Sequence, residues 1–110
     1  MPAKELPMVD TLNPVLNTTK SAQATNVSAR FSRKEKQRRY LLIQNLDAAV
    51  KVGVQFSDDG ATAAVYGAVG TVTLLPGGSV EFNGEAVPKD GFTIITDNTG
   101  NANITVAEIF

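Results

Sequence analysis

Between Val50 and Phe56 the chain sets Val50, Val52, Val54 and Phe56 on one side and Lys51, Gly53 and Gln55 on the other. A strict period of two is the signature of a β-strand with one buried face, and it excludes a helix there. Runs at Thr25–Ser32 (Val27, Ala29 and Phe31 on one face), Arg39–Asn45, Val65–Tyr66, Thr71–Leu75, Ser79–Phe82, Phe92–Thr96 and Asn103–Ile109 are rich in the Val, Ile, Thr and Phe that strands favour. The breaks between them are turn chemistry: Asn45-Leu-Asp, Ser57-Asp-Asp-Gly60, Pro76-Gly-Gly-Ser79, Asn83-Gly84, Pro88-Lys-Asp-Gly91 and Asp97-Asn-Thr-Gly-Asn101. Pro76-Gly77 fits the central pair of a type II turn. No ten-residue stretch carries a helical stripe, since the Ala-rich segment Asp59–Gly70 is broken by Gly60, Gly67 and Gly70.

Short strands with a turn every 8–12 residues or so predict an all-β fold: a single antiparallel β-sandwich or barrel, jelly-roll-like, over residues 23–110. Its expected core includes Leu42, Val52, Val54, Phe56, Val80, Phe82, Ile94 and Val106. A chain of 110 residues has room for one such domain. A core this small gains from oligomerisation.

Residues 1–22 behave differently. Pro2, Pro7 and Pro14 punctuate them, and Leu6, Met8, Val9, Leu12, Val15 and Leu16 follow no period. A freely solvated tail is usually polar, so these side chains predict an extended N-terminal arm that binds a partner. The segment has no uninterrupted apolar run, which argues against a signal peptide or membrane anchor and for a soluble protein outside the usual secretory route.

The chain contains no Cys, His or Trp. Cys/His nucleophile and base pairs, the commonest general base, and nearly all zinc, haem and iron–sulfur ligation are thereby excluded. Neither glycine-rich segment, Gly67-Ala-Val-Gly70 or Pro76-Gly-Gly-Ser79, leads into a Gly-Lys-Ser/Thr ending, so no phosphate loop is present. Oxygen-bearing residues from Asp97 to Glu108 approach calcium-loop spacing, but the turn glycine falls at Gly100 where the loop needs it at 102. The expectation is a non-enzymatic protein with no cofactor and no metal.

Charge is segregated. Residues 30–39 hold Arg30, Arg33, Lys34, Lys36, Arg38 and Arg39 against Glu35 alone, net +5, whereas residues 40–110 hold Lys51 and Lys89 against eight carboxylates, net −6. The basic run sits where a turn should join two strands. It reads either as a solvated turn or as a patch that docks on an acidic protein surface. Nucleic-acid binding, with Phe31 or Tyr40 stacking on bases, is disfavoured by the acidic body and the seven aromatics.

The order Arg39-Tyr-Leu-Leu-Ile-Gln-Asn45, then Val50–Phe56 running into Ser57-Asp-Asp-Gly60, then Leu75-Pro-Gly-Gly-Ser79, Ile94–Ile95 and a closing Asn101-Ala-Asn-Ile-Thr-Val-Ala-Glu108 resembles small virion proteins of tailed bacteriophages over residues 24–110. In that family a strand ending in Ile-Gln-Asn pairs with one of the Val-x-Val-x-Phe type. The resemblance implies a capsid decoration (cement) protein or head accessory on the capsid surface of the virion, present in the host cytoplasm during assembly. Its partner would be the major capsid protein or another virion protein. It also implies a homo-oligomer, with a trimer favoured over a dimer, and no catalytic residues. The alternative is a phage fibre, spike or head–tail module that binds a receptor, a glycan or another virion protein.

Overall fold

The alternating runs pair antiparallel into two four-stranded sheets. The structure is a computed structural model that describes residues 16–110. Its strands are β1 (Leu16–Ala24), β2 (Ala29–Ser32), β3 (Tyr40–Asn45), β4 (Val52–Ser57), β5 (Thr71–Leu74), β6 (Ser79–Asn83), β7 (Gly91–Thr96) and β8 (Ala102–Ile109), with one 3-10 turn at Gly84–Ala86. One sheet has the order β1-β8-β3-β6 and the other β2-β7-β4-β5. Consecutive strands change sheet at every connection except β4 to β5, and this order is that of a jelly roll. Among the described residues no helix is long and apolar enough to cross a membrane.

The two inner faces bury Leu41, Ile43, Val52, Val54, Phe92, Ile94, Ile104 and Val106 completely. Phe31, Phe56, Val80 and Phe82 pack against this cluster from the margins. Phe56 stands edge-on to Phe82, with ring centroids 6.0 Å apart, and tilts against Phe92 at 5.4 Å. The expected core therefore holds, apart from Leu42. Three consecutive apolar residues, Leu41, Leu42 and Ile43, leave the parity of β3 open in the sequence. In the structure Leu41, Ile43 and Asn45 point inward, and Leu42 is half-buried opposite Glu81 and Ala107.

Other expectations are corrected by the packing. The Ile-Gln-Asn strand does not pair with the Val-x-Val-x-Phe strand, because β3 and β4 lie in opposite sheets and the 46–51 connection crosses between them. Val65–Tyr66 is loop. Thr25–Asn26–Val27 forms a turn with Val27 exposed, so β2 starts only at Ala29. The sheet also takes in residues 16–22, which the sequence assigns to the arm: β1 pairs with β8 from Leu16↔Ile109 to Ala24↔Ala102. At the edge of a sheet a polar run such as Thr18-Thr-Lys-Ser21 forms a strand without an apolar alternation to announce it. Leu6, Met8, Val9, Leu12 and Val15 lie outside the described residues.

The turns follow the sequence closely. Gly77 has φ +74° and Gly78 N–H donates to Leu75 C=O at 2.8 Å, as a type II turn on Pro76-Gly77 requires. Two carboxylates brace the turns nearest the 46–51 crossover. Asp47 accepts N–H bonds from Ala49 and Val50 at 2.8 and 2.7 Å, and these hold its pKa below the ordinary value. The Thr99 hydroxyl does the same for Asp97, aided by the Lys51 and Thr99 N–H groups. A folded-state pKa below the unfolded one gives stabilisation that is complete above the unfolded carboxylate value, about 4, and is lost as pH falls through the folded value. Thermal denaturation should therefore show stability falling below about pH 4. A variant carrying Asp47→Asn and Asp97→Asn should be weaker at neutral pH and less acid-sensitive, and an unchanged acid profile would refute this role.

Candidate interaction site at the basic turn

The β2–β3 turn meets the segments 58–60 and 88–91 and the C-terminal end of β8 at one end of the sandwich. Main-chain bonds fix it there: Glu35 N–H donates to Lys89 C=O, Arg38 N–H to Glu35 C=O and Arg39 N–H to Ile109 C=O. The backbones approach too closely for side chains. A Cβ on Gly91 would lie 2.4 Å from the Ser32 carbonyl oxygen, and one on Gly60, where φ is +70°, would lie 2.3 Å from the same atom. Only glycine fits at either position.

Arg38, which the sequence places among partner-facing cations, is fully buried. The Glu35–Arg38 turn directs it between the sheets, and its guanidinium makes four hydrogen bonds and an ion pair there. Nε and Nη2 each lie 2.8 Å from Glu108 Oε2, Nη2 also donates to Ser32 Oγ at 2.8 Å, and Nη1 donates to the Pro88 and Asp90 carbonyls at 2.7 and 2.9 Å. The guanidinium carbon stands 5.9 Å from the centre of the Phe92 ring. Lys89 Nζ closes the knot by donating to the Arg38 carbonyl. This cation is a lock between the sheets, unavailable to a partner.

The remaining cations are exposed or nearly so, and several are already neutralised. Arg30 and Arg33 reach Asp59 at 3.8 and 3.4 Å, and Lys34 reaches Asp58 at 2.8 Å. The hydrogen bond from Lys34 to Asp58, reinforced by the charge of that carboxylate, raises the lysine pKa above its ordinary value. Arg39 donates to the Phe110 carbonyl oxygen at 2.7 Å, and Lys36 is exposed. The +5 run thus meets Asp58, Asp59 and Glu108 in space, and its field is far weaker than its sequence implies. Chemically this end offers guanidinium and ammonium donors beside carboxylates, in an open depression lined by Arg30, Phe31, Ser32, Arg33 and Glu35.

Sequence reasoning missed the lock, although one signal pointed to it. Ile104, Val106 and Glu108 share the inward parity of β8, so a carboxylate falls where an apolar residue belongs. The same parity marks Asn45 behind Leu41 and Ile43. Asn45 is fully buried, donating from Nδ2 to the Val50 and Leu75 carbonyls at 2.8 and 3.1 Å while its Oδ1 accepts from Asp47 N–H. Among the described residues no buried side-chain polar atom lacks a partner, and no group of three or more Asp or Glu is placed to hold a metal.

No family model matches the chain, and no curated protein matches it. Solved structures that match the chain include the following two. PirA covers 88% of this chain and 98% of its own at a TM-score of 0.50 and 9% identity. A chain of the Bacillus endospore appendages, described as disulfide-linked pili, covers 84% of each chain at a TM-score of 0.45 and 19% identity. At 9% identity the likeness to PirA is one of fold. The disulfide linkage of the appendages has no counterpart here, since this chain has no cysteine.

Proposed function

We propose that the protein is a structural virion component, a capsid decoration protein that binds the outside of a phage head and stabilises it without catalysing a reaction. One observation carries this reading. Leu16 pairs with Ile109, and Ile109 pairs with Tyr40, so β1 begins at the same end of the sandwich as the basic turn. The start of β1 and the exposed cations, separate in sequence, share one pole. The locked sandwich supplies a rigid body, and the docked segment adds residence time on the shell. The sequence resemblance over residues 24–110 supplies the phage context.

The second reading, a fibre or spike module that binds a glycan, draws on the opposite pole. Asn26, Asn98, Thr99, Gly100 and Asn101 line an open polar depression there, with Asn26 Nδ2 donating to Asn98 Oδ1 at 2.7 Å. It lacks the aromatic platform that sugar sites usually present. Co-sedimentation of the full chain with assembled phage heads, at saturable copy number, supports decoration. Binding on a glycan array with no binding to heads supports the second reading.

A further inference from the structure

Residues 60–80, Gly-Ala-Thr-Ala-Ala-Val-Tyr-Gly-Ala-Val-Gly-Thr-Val-Thr-Leu-Leu-Pro-Gly-Gly-Ser-Val, contain no charged side chain, the longest such stretch in the chain. In the structure they form the loop after β4, the edge strand β5, the turn that follows it and the start of β6; Ala64 and Leu74 are buried, but other apolar side chains are not. Val69 is fully exposed, Val65 is 61% exposed, Leu75 59% and Val72 37%.

The loop is held in place. It lies against the outer face of the β2-β7-β4-β5 sheet, where Thr93 Oγ1 donates to the Thr62 carbonyl at 2.8 Å and Ala64 N–H donates to Ser28 Oγ at 2.8 Å. Tyr66 stands over Gly53, where an added Cβ would lie 3.5 Å from its ring and 2.8 Å from the Thr71 methyl. The exposed valines therefore sit on a preorganised platform, and little entropy remains to be lost on binding.

Edge strands invite pairing, and proteins normally guard them with charge. Three edges here follow that rule: β1 carries Lys20, β2 carries Arg30 and β6 carries Glu81. β5, Thr-Val-Thr-Leu, has no charged residue. Unguarded backbone, exposed valines and absent charge coincide on one flank.

We propose that this flank, β5 with the 61–70 loop, is a self-association surface that packs against the same surface of a second copy of this chain. Charge selects the occupant. Of the four sheet edges β5 is the one with no charged residue, so a second β5 meets it with no charge left unpaired on either side. An edge that meets its own copy across a two-fold axis is self-complementary, and this favours two chains over the trimer implied by the resemblance. The surface is independent of the capsid reading, and its test uses the isolated full chain, so either proposal fails without the other.

Sedimentation velocity over a concentration series tests it. The expected particle has twice the 11.6 kDa of the chain. Val69→Lys and, separately, Thr73→Lys are each expected to raise the dimer Kd by about tenfold or more while the melting temperature holds. Val27→Lys, at an exposed site in the β1–β2 turn, should leave the Kd unchanged. Added salt should preserve the dimer, because no ion pair holds it. A monomer at all concentrations, a three-chain particle, a dimer indifferent to both lysines, or one that dissociates in salt overturns the proposal.

Discussion

Replacing Arg38 with alanine is expected to cost about 3–5 kcal/mol of folding stability, the scale on which removing one partner of a buried ion pair is felt. The loss is large because the guanidinium satisfies several groups at once. Without it Glu108 loses its buried ion-pair partner, and Ser32 Oγ and the Pro88 and Asp90 carbonyls each lose a donor. A small domain has about 5–15 kcal/mol in total, so the variant should be marginal at ambient temperature. Urea denaturation reads the effect directly. Removing both charges, with Arg38→Met and Glu108→Leu together, should recover much of the loss, because no uncompensated charge then remains. A single Arg38→Ala variant within about 1 kcal/mol of the parent, the range of a surface pair, would show that the lock is not structural.

Phe92→Ala should be comparably severe, at about 3–5 kcal/mol, because it empties the centre of the sandwich. Phe92 is fully buried and touches both Phe56 and the guanidinium of Arg38. The last contact makes a further expectation specific. Losses from Phe92→Ala and Arg38→Ala should not add in the double variant, since each removes a neighbour of the other. Simple additivity, or a loss below about 1 kcal/mol for Phe92→Ala, would contradict the packing described.

These two residues also show where sequence reading succeeds and where it stops. Period-two alternation in Val52-Gly-Val-Gln-Phe56 placed Val52 and Val54 inside correctly, because one buried face leaves no other register. Turn glycines were equally legible. Leu41-Leu-Ile43 was ambiguous because three apolar neighbours offer both parities, and only the pairing of β3 between β6 and β8 chooses. The basic run looked like an outward patch because sequence proximity hides partners at Asp58, Asp59 and Glu108, which chain crossovers bring together. β1 was missed because an edge strand buries little, so its polar residues resemble those of an arm.

The central claim is that the apolar segment before β1 attaches a rigid jelly roll to a particle. Deletion has to stop at Val15, since removing residues 16–20 would take the first half of β1 and confuse unfolding with lost adhesion. The decisive measurement is retention on assembled phage heads after centrifugation and washing, comparing the full chain with one lacking residues 2–15. The account predicts that the shortened protein keeps its β-rich spectrum and cooperative melting while its retention falls at least about tenfold. Equal retention of the two proteins would contradict it.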